Sequence, residues 1–302
     1  MTATIFRITV LLLLTLTIVP VSAQEATPDA DFAARTYELF VPESYDADTP
    51  IPLVMVLHGA SGTGARSQSW LGFDELAEAE NFIVVYPDGV YNNWDFGAGV
   101  LTPDGVIEVD DVGYLTHLVE ILQADYNIDP ARVFVAGMSN GAVMAYRLAC
   151  EAPDTFKAVA GVAAGIFTMA VQNCDQPVSV LFIQGSEDRI IPWDGTILED
   201  QYVGFSAADS LSFWTQLNGC NTQTDAIIQT DIPDMDTKDN STVKQISITD
   251  CADDTQVQFY AVVGGGHTWP GHPFDVDMEL GPLNMDIDAT QIIWDWFKDS
   301  TE

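Results

Sequence analysis

The segment Gly137-Met138-Ser139-Asn140-Gly141 carries the clearest chemistry in this sequence. Its G-x-S-x-G spacing follows an apolar run, Arg132 to Ala136, and opens a helical pattern that begins at Ala142. A strand-to-helix turn this sharp has no room for side chains at its flanking positions and leaves the serine hydroxyl exposed at the sheet edge as a nucleophile. A serine hydroxyl needs an adjacent base, and the chain has four histidines. His58 directly follows an apolar run upstream of the serine. His117 falls in mid-helix, where a surface imidazole is expected, and His272 follows Pro270-Gly271 in a surface loop. His267 follows the last strand through Gly264-Gly265-Gly266, a loop able to carry an imidazole over a neighbouring strand end, and is the expected base.

A carboxylate should hold that imidazole in the productive tautomer. The apolar run Val178 to Gln184 ends in Gly185-Ser186-Glu187-Asp188, just past the strand that precedes the histidine strand. Asp188 is chosen on that position, with Glu187 and Asp194 as competitors. Ser139, Asp188, His267 is the chain order of α/β-hydrolases, unlike that of chymotrypsin or subtilisin. The backbone N–H of Asn140, at a helix N-terminus, is one expected oxyanion donor. The loop His58-Gly59-Ala60-Ser61-Gly62 is small enough for close backbone approach and supplies Ala60 N–H as the second, with His58 ordering the loop rather than moving protons. Trp193 and Trp269 fall near the triad positions and are expected to line the substrate site. Trp94 is a weaker candidate of the same kind, because large aromatics also serve as packing.

These residues need a scaffold of strand ends. Strands are expected at 37–41, 52–57, 82–86, 132–136, 158–163, 178–184 and 257–263, separated by helices at 73–80, 112–126, 142–150, 207–218 and 288–298. Alternating buried strands and helices predict a mostly parallel central sheet with helices on both faces, and chemistry beyond the carboxyl ends of the strands. The Asp- and Thr-rich stretch 221–254 stands apart. Its flanks, 226–230 and 243–249, alternate like a hairpin, and its acidic centre reads as a solvated loop rather than an EF-hand calcium site.

Residues 1–23 read as a signal peptide: Arg7, an apolar core from Ile8 to Val19, then Pro20-Val21-Ser22-Ala23 before cleavage ahead of Gln24. Residues 24–302 are expected to form a single domain, exported, with no membrane anchor after cleavage. Export makes Cys150, Cys174, Cys220 and Cys251 disulfide candidates; of three possible pairings, Cys150–Cys174 and Cys220–Cys251 join sequence neighbours and are favoured over free thiols. With 10 Lys+Arg against 45 Asp+Glu, a net charge of −35 disfavours nucleic acid and anionic membranes as partners. The sequence has neither C-x-x-C nor H-E-x-x-H, and the triad chemistry requires no metal or organic cofactor.

The blocks LHGASGTG (57–64), FIVVYPDG (82–89), DDVGYL (110–115), DPARVFVAGMSNGAVMAYRLAC (129–150), GSEDRIIPWDG (185–195), GGGHTWPG (264–271) and DIDATQIIWDWF (286–297) resemble the polyhydroxybutyrate depolymerase-like esterases. That α/β-hydrolase group includes feruloyl and acetylxylan esterases of carbohydrate esterase family 1. The resemblance implies Ser139, Asp188 and His267 as nucleophile, acid and base, acting on polyester oligomers or on esterified polysaccharide fragments. Two departures weaken the solid-polyester expectation: Ala60 stands where the depolymerases often carry Cys, and no linker with a polymer-binding module is present. A peptidase of the same fold, or a binding protein that kept it, is the competing expectation.

Overall fold

The computed structural model describes residues 32–198, 201–223, 225–273 and 280–300. The expected signal peptide, 1–23, lies outside them. In chain order the elements are β1 (Tyr37–Phe40), β2 (Ile51–Leu57), α1 (Gly64–Trp70), α2 (Phe73–Glu80), β3 (Ile83–Pro87), β4 (Val100–Thr102), β5 (Gly105–Ile107), α3 (Asp111–Asp125), β6 (Ile128–Met138) and α4 (Asn140–Glu151). They continue as β7 (Ala158–Val162), β8 (Ser179–Gly185), β9 (Thr196–Leu198), β10 (Gln201–Gly204), α5 (Ala207–Leu217), β11 (Ile227–Asp231), β12 (Thr242–Ile248), β13 (Val257–Val263) and α6 (Ala289–Asp299).

Continuous apolar runs such as IPLVMVL become strands buried on both faces, because successive side chains point to opposite sides of the sheet. Leu53 and Met55 share one core cluster with Tyr114, Val143 and Trp214 from α3, α4 and α5, whereas Val54 and Val56 belong to a second with Phe73 from α2 and Trp294 and Phe297 from α6. Phe134 of β6 stacks on Phe297 at 4.6 Å, and Phe82 on Trp294 at 3.9 Å. The sheet order is β1-β3-β2-β6-β7-β8-β13-β12-β11. From β3 to β13 every pairing is parallel, and antiparallel strands extend both edges. This is the α/β-hydrolase architecture.

The chain reverses its direction of travel across the sheet between β2 and β6, and such a switch point opens a crevice beyond the strand ends. Register places Leu57 beside Gly137 there, so the loop after β2 meets the turn after β6. Two strands further on, β8 and β13 pair Gly185 with Val262, which brings the loops carrying Asp188 and His267 together.

The apolar elements lie within a few residues of their expected bounds, and the alternating flanks of the acidic stretch form β11 and β12, paired antiparallel beyond β13. Three elements differ. Helix α1 (GARSQSW) has no apolar stripe; it starts where the Thr63 hydroxyl caps Arg66 N–H. The hairpins β4–β5 and β9–β10 are three- and four-residue strands with exposed Leu101, Val106, Ile197 and Leu198, too short for periodicity to register. Disulfides join Cys150 to Cys174 and Cys220 to Cys251, the favoured pairing. Among the described residues, no helix is long and apolar enough to cross a membrane, and no group of three or more His, Cys, Asp or Glu is placed to hold a metal ion.

Candidate active site

Strand β6 ends at Met138, and Ser139 takes the N-cap position of α4 with φ 54° and ψ −121°. A positive φ at a non-glycine residue costs energy and marks a tight constraint. The constraint is visible in the two glycines: a Cβ on Gly137 would strike the backbone of Gly141, and a Cβ on Gly141 would strike the carbonyls of Leu57 and His58. Ser139 N–H is tied to Val162 O at 2.9 Å, while its carbonyl accepts from Ala142 and Val143 as the first helical bonds. The side chain is thereby displayed above the sheet.

His267 is buried, its backbone N–H bonded to Leu280 O at 2.6 Å. Its Nδ1 lies 2.7 Å from Asp188 Oδ2, and the other Asp188 oxygen accepts the N–H groups of Ile190 and Ile191, each at 2.8 Å. Since Asp188 Oδ2 accepts, Nδ1 carries the proton and Nε2 is left as the base nitrogen. Glu187 and Asp194, the competing carboxylates, are exposed and make no bond to His267. Ser139 and His267 line one cavity of about 210 Å³ together with Ala60, Met138, Ile190 and Leu280. No hydrogen bond joins the Ser139 hydroxyl to the imidazole here, a common state of such pairs before substrate tightens them.

The loop after β2 forms the opposite wall. Gly62 N–H closes a turn onto Gly59 O at 2.9 Å, with Ser61 in the left-handed region at φ 63°. A Cβ on Gly59 would lie 3.4 Å from that of Ser139, so this loop passes close over the serine. Among the described residues, the backbone N–H groups of Ala60 and Asn140 donate to no protein acceptor. His58 is buried, accepts Gly89 N–H at Nε2 (2.9 Å) and therefore donates from Nδ1 to Gly59 O (2.8 Å). Burial holds its pKa below the usual value against the Gly59 bond and the Asp88 charge, so the ring is neutral and both its nitrogens are engaged. Its expected role as a loop organiser matches this geometry.

Trp94, Trp193 and Trp269 do not line the cavity. Trp269 is 1% exposed, packed edge-on against Phe73 at 6.1 Å, with its indole N–H on Thr290 Oγ1 at 3.0 Å. Trp193 lies half-buried against Phe259 and gives its carbonyl to Ala207 N–H at the start of α5. Both were expected as substrate-binding residues; Trp269 is instead enclosed by the core, whereas Trp193 stays partly exposed outside this cavity. His272 is not a simple surface residue: its ring nitrogens lie 3.0 Å from Trp70 O and 3.1 Å from Asp288 Oδ1. His117 is the surface imidazole expected, beside Glu120. The cavity walls that sequence reasoning missed, Trp70 and Leu71, come from the unforeseen α1 and its C-cap.

Residues 33–275 match the family described as putative esterase. The probable feruloyl esterase C of Aspergillus terreus is 28% identical over 272 residues, 87% of this chain and 83% of that protein. Feruloyl esterase C of Emericella nidulans gives the same identity and coverage. Among solved structures, the acetyl xylan esterase from Aspergillus awamori superposes with a TM-score of 0.56 at 20% identity, covering 87% of this chain and 93% of that one. Esterase PE8 gives 0.51 at 15% identity, covering 88% and 98%. Both support the fold described above.

Proposed function

The chain belongs to the putative esterase family and is a carboxylic ester hydrolase, and from that premise we propose a secreted serine esterase acting on feruloyl or acetyl esters of plant polysaccharide. The observation that carries the serine mechanism is the Asp188–His267 pair at 2.7 Å opening on the cavity that Ser139 lines. Ser139 Oγ attacks the ester carbonyl as His267 Nε2 takes its proton, and Asp188 stabilises the imidazolium that results. The oxyanion is held by Asn140 N–H, at the positive end of α4, and by Ala60 N–H. Collapse expels the alcohol with the proton from His267; water, activated by the same imidazole, then releases the acid from the acyl-enzyme.

A cavity of about 210 Å³ is smaller than the ~300–1,000 Å³ typical of pockets for drug-sized ligands, so it accommodates one acyl group while the polymer remains outside. Its walls of Trp70, Leu71, Met138, Ile190 and Leu280 favour an apolar acyl group. The named activities of the feruloyl esterase C relatives favour feruloyl esters over hydroxybutyrate oligomers. The two disulfides support an oxidising destination, consistent with an exported chain whose residues 24–302 act as one domain. Turnover of methyl ferulate, acetylated xylan, 3-hydroxybutyrate oligomers and an amide matched to the best ester tests the reading. Methyl ferulate or acetylated xylan should be the best substrate, with the amide inert. Preference for hydroxybutyrate oligomers would reassign the acyl group, and amide turnover would make the protein a peptidase.

A further inference from the structure

The two expected oxyanion donors come from different loops, and their separation must be held within roughly 0.5 Å to act on one oxygen atom. Pairing of Leu57 with Gly137 fixes the strand ends, but Ala60 lies beyond β2 in a turn that includes a left-handed Ser61. A brace between the two loops is visible beneath them. Asn140 Oδ1 accepts Trp94 N–H at 2.7 Å, and Asn140 Nδ2 donates to Trp94 O at 3.1 Å. The Trp94 indole N–H donates to His58 O at 2.9 Å, and its ring lies 4.9 Å from the His58 imidazole. That imidazole in turn donates to Gly59 O, immediately before Ala60.

Trp94 is itself immobilised. It is 1% exposed, the Arg35 guanidinium lies 5.5 Å from its ring, and the N–H of the next residue, Asp95, donates to Asp111 Oδ2 at 2.6 Å. Asp111 is ion-paired with Arg35 at 2.6 Å, closing the brace from below. Neither the Trp94 ring nor the Asn140 side chain lines the cavity, so neither is placed to contact substrate.

We propose that Trp94 and the Asn140 side chain are positioning residues that hold the two oxyanion donors, Asn140 N–H and Ala60 N–H, at a fixed separation. The proposal rests on the serine mechanism above. Removing either arm leaves both donors present but displaced, and misplacement by about 1 Å at a reacting centre costs on the order of 10²-fold. A partial displacement should therefore cost about ten-fold.

The test uses Trp94→Phe, which keeps a ring and deletes the indole N–H, Asn140→Ala, and the double variant. End-point labelling with a fluorophosphonate counts reactive serines, so kcat is expressed per labelled site. KM and the Ki of a trifluoromethyl ketone, which forms a tetrahedral adduct, are measured alongside. Each single variant should lose about ten-fold in kcat with KM within about three-fold, and Ki should rise in parallel with the loss in kcat/KM. The double variant should lose much less than the product of the single effects, because both belong to one brace. If Trp94→Phe does not fold, Asn140→Ala carries the same expectation. Unchanged kcat per labelled site, or a rise in KM with the ketone unaffected, overturns the brace. Failure of the wild-type protein to label at Ser139 overturns the serine mechanism instead.

Discussion

Asp188→Asn replaces one oxygen of a fully engaged carboxylate by an amide nitrogen. Asp188 is 5% exposed and accepts three N–H groups: His267 Nδ1 at 2.7 Å on one oxygen, and Ile190 and Ile191 on the other. An asparagine can present its oxygen to only one of those sides. Facing it to His267 sets an NH₂ group against two backbone N–H donors, leaving both unsatisfied at about 1–3 kcal/mol each. Facing it to the loop sacrifices one bond and lets the NH₂ donate to His267 Nδ1. The second orientation is favoured, and it forces the imidazole proton onto Nε2, where the ring can no longer accept the serine proton. The corresponding tautomer defect in the chymotrypsin-type triad costs ~10⁴ in kcat. A loss of about 10³–10⁴ in kcat for 4-nitrophenyl acetate is expected here, with KM nearly unchanged. Asp194→Asn, an exposed carboxylate without a bond to His267, provides the contrast and should remain within about two-fold. Retention of a tenth or more of wild-type kcat by Asp188→Asn would refute the assignment of Asp188 as the partner of the base.

Two further outcomes concern stability. Both acceptors around His272, Trp70 O and Asp288 Oδ1, call for a doubly protonated ring, and the Asp288 bond raises its pKa above the ordinary 6.5 despite burial. That contribution is complete below about pH 6.5 and is lost as pH rises through the raised folded value. Burial works against the Asp288 charge, but bonds from His272 and Gln291 hold its pKa below the ordinary 3.8, so the partner contribution fades only in strong acid. The melting-temperature gap between wild type and His272→Gln should therefore be widest near pH 5–6 and narrow towards pH 9; a gap independent of pH would count against it. The second outcome follows from the net charge of −35. Self-repulsion screened by salt should let the melting temperature rise between low and molar NaCl, and a flat profile would dispose of that account.

The parts of the site that sequence reasoning reached are those fixed by local backbone geometry. The glycines around Ser139 announce a turn that no larger residue fits, and Asp188 and His267 each follow a continuous apolar run, so parallel pairing brings their loops together. Proximity in sequence to triad residues says nothing about direction: the Trp269 indole turns inward to Thr290, while Trp193 packs against Phe259 and stays half-buried outside the cavity. Helix α1 stayed hidden because it buries only Gly64 and Ser67 and so has no periodic apolar face. The Trp94–Asn140 brace depends on contacts between a loop and the first residue of α4, forty-six positions apart, which no local pattern encodes.

Turnover of 4-nitrophenyl acetate by Ser139→Ala tests the central claim most directly. Position 139 is held by its backbone bond to Val162 O and by the flanking glycines, so loss of the hydroxyl should leave the thermal melt nearly unchanged. Turnover should fall by at least ~10³-fold, leaving only what binding and the oxyanion donors supply. A folded Ser139→Ala protein that keeps more than about a twentieth of wild-type turnover would contradict the mechanism, since a triad without its nucleophile cannot sustain such a rate.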